Sequence, residues 1–220
     1  MALAARPISA IANIHMGSNR AIALMGKAHG RLVHGRRITV IAEQLANVLE
    51  PDCTLLDVGC GDGKLASILS ERAPGLDVQG VEILPRPDCA IPCLPFDGNH
   101  LPFPNESFDA CLFVDVLHHA KDPLAILRDA CRVSRKFILI KDHLCENTFD
   151  HWTLRVMDWV GNRPHGVVLP YSYLSSARWQ KFYAELGLSV ACTQGKLPLY
   201  PFPFSLLFGR NLHFISLLKK

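Results

Sequence analysis

The chain has 220 residues, 23 Lys and Arg against 20 Asp and Glu, and 49% apolar residues. That length suits one α/β domain with a full core, since single domains span roughly 50–250 residues. A net charge of +3 gives no electrostatic case for nucleic acid or anionic membrane as a partner, and no apolar stretch reaches the roughly 18 residues that cross a bilayer.

In chain order, residues 1–36 form an N-terminal arm or a short lid helix. Arg6, Arg20, Lys27, Arg31 and Arg36 lie there, and no acid precedes Glu43. An organelle transit signal is the other reading of such an end. Residues 37–220 read as a single domain, with a cofactor half at 37–143 and substrate-side elements at 144–220. Ile38, Ile41, Ala42, Leu45, Val48 and Leu49 recur with the spacing of one helical face, which Pro51 stops. Thr54 to Gly59 is a short apolar strand of the kind buried on both faces. Leu65, Ile68 and Leu69 continue as a helix ending near Pro74-Gly75, and Leu76 to Ile83 is a second strand.

Arg86 to Pro104 is a Pro-rich loop around one short strand, and Phe108 to Val116 is a long apolar strand. Asp122-Pro123 is an N-cap with Pro at the first helical position. Phe137 to Ile140 is another strand, which the polar trio Lys141-Asp142-His143 terminates. Trp152 to Trp159 and Ser175 to Leu186 read as helices, the second stopped by Gly187. Leu188 to Thr193 and Leu212 to Leu218 close the chain as strands; the tract from Tyr200, broken by Pro201, Pro203, Arg210 and Asn211, reads as buried strand and loop. Alternating strands and helices predict a mostly parallel sheet covered on both faces, with ligands at the carboxyl ends of its strands.

Eight cysteines contain no C-x-x-C pair. They are expected to be reduced structural thiols in a cytoplasmic protein, and no metal site is expected.

Asp57-Val-Gly-Cys-Gly-Asp-Gly63 carries the most information. Gly59, Gly61 and Gly63 stand where the first strand turns into its helix, so backbone amides can approach a ligand closely. Lys64 occupies the place where a dinucleotide fingerprint needs Gly, and Leu65 replaces the hydroxyl residue of a phosphate P-loop. Glu82 ends the second strand, 19 residues beyond Gly63, where a carboxylate can accept both ribose hydroxyls. Loop and acid together predict a nucleoside-like ligand without an obligatory polyphosphate.

Four segments then resemble the class I S-adenosylmethionine-dependent methyltransferases of the type-11 methyltransferase-domain group. They are Leu55 to Gly63, Val81-Glu82, Phe96-Asp97-Gly98 and Ser107 to His119. The resemblance covers roughly Ile38 to His143. It implies a Rossmann-like, seven-stranded, mostly parallel sheet with helices on both faces and an antiparallel last strand. It also implies S-adenosyl-L-methionine as cofactor. The glycine loop would hold the methionine part, Glu82 the ribose, and Asp97 the adenine amine, with Gly98 allowing close approach; Asp57 and Asp115 join the same group.

Methyl transfer from a sulfonium is an in-line displacement that needs alignment and water exclusion, and a base only where the acceptor must lose a proton. Two sets lie at suitable strand ends: Asp115, His118 and His119, and Lys141, Asp142 and His143. His118 and His119 either supply a base or pack over the cofactor. The second set is either a solvated turn, with Asp142 capping the next helix, or a catalytic group with His143 as base and Asp142 fixing its tautomer. Mg²⁺ held by Asp97, Asp115 and Asp142 has no further carboxylate cluster behind it. Trp152, Trp159, Trp179, Tyr171 and Tyr173 either line an apolar acceptor pocket or belong to the core. Arg155, Arg163 and His165 offer anion contacts.

The expected function is methyl transfer to a small-molecule or lipid-like acceptor, with no nucleic-acid partner. The alternative is a non-catalytic S-adenosylmethionine-binding regulatory or partner subunit. A nucleotide-dependent oxidoreductase is disfavoured by Lys64 and by the lack of a Tyr-x-x-x-Lys pair.

Overall fold

A computed structural model describes residues 35–162 and 171–220. Residues 1–34 of the expected 1–36 arm, with Arg163 and His165, lie outside the described residues. Helix α1 covers residues 35–46, its apolar face setting Ile41 and Leu45 into the core. Then follow β1 (Thr54–Val58), α2 (Lys64–Arg72), β2 (Asp77–Glu82), β3 (Cys93–Pro95) and β4 (Phe108–Val114). A 3-10 turn at Leu117–His119 leads to α3 (Pro123–Val133), β5 (Ser134–His143) and α4 (Thr148–Asn162). The chain closes with α5 (Ser176–Glu185), β6 (Ser189–Gly195), α6 (Ser205–Phe208) and β7 (His213–Lys219).

The seven strands form one sheet in the order β3-β2-β1-β4-β5-β7-β6. The first five in that order run parallel, and β7 runs antiparallel between β5 and β6. Strand β1 is nearly all apolar because both its faces are covered. Leu56, Phe113 and Ile138 pack with Trp179 and Phe182 of α5 on one face, while Leu55, Leu112 and Leu139 pack with Ile41, Leu45 and Leu69 on the other. The chain order reverses at β1, which lies between β2 and β4, and that switch opens a crevice at the carboxyl ends of the strands. Pairing of Val58 with Val81 and Phe113, and of Val114 with Lys141, brings those ends level.

Two expectations are corrected. Lys141, Asp142 and His143 do not follow β5 as a turn, and Asp142 caps no helix. All three lie within the strand, paired with Ile215, Phe214 and His213 of β7. Buried polar residues persist there because they satisfy one another, as the site below makes plain. The Tyr200 to Leu218 tract is not wholly strand and loop either. It contains α6, and Phe202 and Leu206 face solvent at 78% and 71% exposure. Its buried apolar part is Tyr200, Leu212, Phe214, Ile215 and Leu218.

Candidate active site

The glycine loop sits at the end of β1 and is tied to β2 by its own backbone. The Gly59 and Cys60 amides donate to the Val81 carbonyl at 2.8 and 3.2 Å. Gly59 has φ +75°, and a Cβ there would stand 2.7 Å from Val116, so no larger residue fits this crossing. Gly61, at φ +61°, faces open space, which is the room a ligand needs. The Gly61 amide donates to Glu82 Oε2 at 2.9 Å, and the Ile83 amide to Oε1 at 2.8 Å. Glu82 is thereby fixed beside the loop with lone pairs remaining for hydroxyl donors. Gly63 precedes the first turn of α2.

Asp57 is buried beneath this loop, and burial, then the Glu82 charge, raises its carboxyl to about 7. Asp97 is exposed, and its Oδ1 accepts from the Asn99 and His100 amides at 2.8 and 2.7 Å, so it shapes the turn that presents Gly98. The Asp57, Gly59, Gly61, Gly63, Glu82 and Gly98 positions gather at the carboxyl edge formed by β1, β2 and the loop after β3.

Three further thiols meet at this end. Cys60 Sγ lies 3.4 Å from Cys93 Sγ, and Cys89 completes a group whose sulfurs fall within 4.8 Å of one another. Only the sheet register, through β3, brings them together; their sequence spacing carries no such signal.

The neighbouring strand ends hold a different construction. Asp115, at φ +56°, accepts from Arg37 Nη2 at 2.8 Å and from the buried Lys141 Nζ. Burial alone would raise the Asp115 carboxyl, but Lys141 and then Arg37 hold it well below its ordinary value. Burial lowers the Lys141 ammonium, and Asp115 opposes that. Lys141 Nζ also lies 3.4 Å from His213 Nδ1.

Asp142 is fully buried. Its Oδ1 meets His118 Nδ1 at 2.6 Å and accepts the His143 amide at 2.7 Å; its Oδ2 accepts the Leu117 amide at 3.1 Å. Asp142 therefore grips His118 more closely than the His143 ring, whose Nδ1 is 3.3 Å from the same oxygen. Burial would lower His118, but Asp142, then Asp158, raises it. Burial, then His118, lowers His143, which favours the neutral ring. Its Nε2 lies 3.8 Å from Asp115 Oδ1, and Trp179 Nε1 donates to its carbonyl at 3.2 Å.

Helix α4 adds Asp158, whose Oδ2 accepts the Tyr173 hydroxyl at 2.5 Å. Tyr173 packs against both His118 and His143, with centroids 5.7 and 5.9 Å apart. The five aromatics of the last third thus part company. Tyr173 joins the site and Trp179 the core, while Trp152 and Trp159 are half exposed or more; Arg155 stacks on Tyr171 at 4.6 Å. Asp97 does not join Asp115 and Asp142 in a ligand group. Arg37, Asp158 and His213 lacked any motif. Their one signal is a charged or ring-nitrogen residue set among apolar neighbours of a helix or strand.

Residues 56–137 match the methyltransferase-domain family. An uncharacterized methyltransferase of Mycobacterium sp. (strain KMS) is 36% identical over 89 residues, covering 37% of this chain and 34% of that one. The chain thus spans about a third of the length of the curated relatives it matches. A putative methyltransferase in complex with the Haloferax volcanii Trm112 methyltransferase activator is similar in fold. It has a TM-score of 0.64 at 16% identity, over 90% of this chain and 95% of that one. The [4+2]-cyclase SpnF is similar at a TM-score of 0.62 and 13% identity, over 83% and 80% of the two chains. The glycine loop, the acid that ends β2 and most of the parallel sheet lie within residues 56–137, the segment that matches the methyltransferase-domain family.

Proposed function

We propose that the protein transfers the methyl group of S-adenosylmethionine to a small-molecule or lipid-like acceptor held beside His143. The observation that carries this reading is the adjacency of two unlike surfaces. An amide-lined loop with Glu82 adjoins a largely buried polar cluster of Asp115, His118, Asp142, His143 and Tyr173. The residues fit the cofactor, since Gly61 leaves open space and Glu82 is already aimed at the loop. The sulfonium brings an activated methyl group. The protein's own work is to align, to exclude water and to accept a proton, and alignment alone can lower a barrier by roughly 7–11 kcal/mol.

His143 is the proton acceptor in this scheme, because its burial favours the neutral ring. Asp142 and His118 are positioning residues that hold the β5 end and the 3-10 turn together. A lipid-like acceptor also suits the outer face of α4, where Phe149, Trp152, Val156 and Trp159 are each at least half exposed, opposite the buried Asp150, Leu154 and Asp158. Among the described residues no helix is long and apolar enough to cross a membrane. The eight free thiols suit a reducing compartment such as the cytoplasm.

The test pairs binding with transfer. S-adenosylhomocysteine should raise the thermal midpoint of the purified chain, and Gly61→Trp or Glu82→Ala should abolish the rise. Incubated with cell extract and methyl-labelled cofactor, the wild type should label the small-molecule or organic-soluble fraction, and His143→Ala should not. Label in RNA or in protein would overturn the acceptor assignment. The second reading, a cofactor-binding subunit acting through a partner, draws on the Trm112 complex and on a cyclase sharing the fold. Cofactor binding without transfer to any fraction would select it.

A further inference from the structure

His118 and His119 are consecutive in the 3-10 turn, with ring centroids 4.0 Å apart. Asp142 occupies His118 Nδ1, which turns Nε2 away from β5 and toward α4. That Nε2 is buried without a hydrogen-bond partner, and so is His119 Nδ1. The nearest acid to His118 Nε2 is Asp158, whose Oδ2 stands 3.5 Å away, beyond a well-formed hydrogen bond. One donor atom from each of His118, His119 and Asp158 lies within 4.8 Å of the others.

With both rings neutral, the two unpartnered nitrogens and the carboxylate are all lone-pair donors. One cation satisfies all three at once. Donors each about 2.1 Å from a shared ion stand at most about 4.2 Å apart, so little side-chain movement separates this group from a closed site. Asp142 behind His118 is the outer carboxylate that commonly orients a metal-binding imidazole. Tyr173 donates to the same Asp158 Oδ2 and so fixes the carboxylate in place. Two imidazoles with one carboxylate suit first-row divalent ions from iron to zinc better than Mg²⁺ or Ca²⁺, and three protein donors leave positions free for an incoming oxygen.

We propose that His118 Nε2, His119 Nδ1 and the Asp158 carboxylate bind one divalent transition-metal ion, with coordination positions left for an oxygen of the acceptor. The expectation of no metal, drawn from cysteine spacing, did not weigh this histidine and carboxylate group. The identity of the incoming oxygen rests on the transfer reading above; ion binding does not. Bound there, the ion would supply a Lewis acid near His143, whose ring lies edge-on to His118 at 4.5 Å.

The test uses the full chain, stripped with a chelator and titrated with Co²⁺ in the presence of S-adenosylhomocysteine. The expected result is one equivalent bound, with the visible absorption of nitrogen and oxygen ligation. His119→Ala and Asp158→Asn should each weaken binding at least about tenfold, and Asp142→Asn by about 10–100-fold. A variant with Cys60, Cys89 and Cys93 all changed to Ser should keep the ion, which removes the thiol group as an explanation. The thermal shift from S-adenosylhomocysteine, read on the same samples, reports that each variant is folded. Three results would overturn the site. They are no stoichiometric uptake by wild type that retains that shift, uptake indifferent to His119→Ala and Asp158→Asn, or thiolate-to-cobalt charge transfer lost in the triple Ser variant. Uptake by a protein that shows no cofactor shift would instead remove the transfer reading and leave the metal site standing.

Discussion

The two sides of the crevice handle polarity by opposite means. At the β1–β2 end the polar groups are backbone amides on a loop of glycines, answered by the single carboxylate of Glu82. At the β4–β5–β7 end they are seven buried or part-buried side chains from several elements: Arg37, Asp115, His118, Lys141, Asp142, Asp158 and His213. The first side needs no partner to stay folded, because backbone groups bond to the adjacent strand. The second is a mutual arrangement in which each charge is tolerable only while its neighbours stand. A ligand site made of amides suits a constant cofactor. One made of coupled side chains can be re-specified for an acceptor by changing a few residues.

That contrast can be broken by substitution. The largest effect is expected on the side-chain side. Asp115→Leu alone strands the fully buried Lys141 charge and should cost about 3–5 kcal/mol, Lys141→Met alone leaves Asp115 paired with Arg37 and should cost less, and the double variant should recover much of the Asp115→Leu loss. Urea midpoints of the three variants measure this, and simple additivity would mean that the pair is not coupled. Next comes the apolar floor beneath both sides. Leu56→Ala, at a fully buried position of β1, should cost about 2–5 kcal/mol. An equal loss in Leu139→Ala would show that the floor itself does not distinguish the two regions.

A third expectation concerns pH. The Asp57 carboxyl, raised to about 7 by burial and Glu82, keeps its proton in the folded chain where an unfolded Asp, near about 3.9, has lost it. The unfolded state then binds fewer protons between those values, so this group lowers stability as pH rises across that window. Asp57→Asn should remove its share of the decline in thermal midpoint, and an unchanged slope would mean that the carboxyl is already ionised. The smallest effect should come from Arg210, which bonds Asp150 and Thr153 at 3.0 Å each and joins the α6 segment to α4. Arg210→Met should cost about 1 kcal/mol and raise proteolytic nicking after Phe202.

Local chemistry explains why one side was readable in advance. Gly59, Gly61 and Gly63, with Glu82 at a set distance, are demanded by a turn whose partners lie within 30 residues, so spacing alone betrays them. The Asp122 N-cap was legible for the same reason, its side chain accepting from the Ala125 amide three residues on at 3.0 Å. Lys141, Asp142 and His143 look like a strand end only because strand pairing is not written locally. Their continuation depends on β7, some 70 residues later.

From the sequence alone came the alternation of strands and helices, the glycine loop with the acid that ends β2, and the kinship of residues 56–137, because each rests on periodicity or on contacts between near neighbours. Only the tertiary structure decided that Asp142 serves His118 first, that Arg37 and His213 enter the same network, and that Asp158 stands 3.5 Å from the unpartnered His118 Nε2. Those pairings follow from sheet register and from the packing of α1 and α4 against the strand ends. Burial makes each charge seek a partner, but the fold determines which partner is within reach.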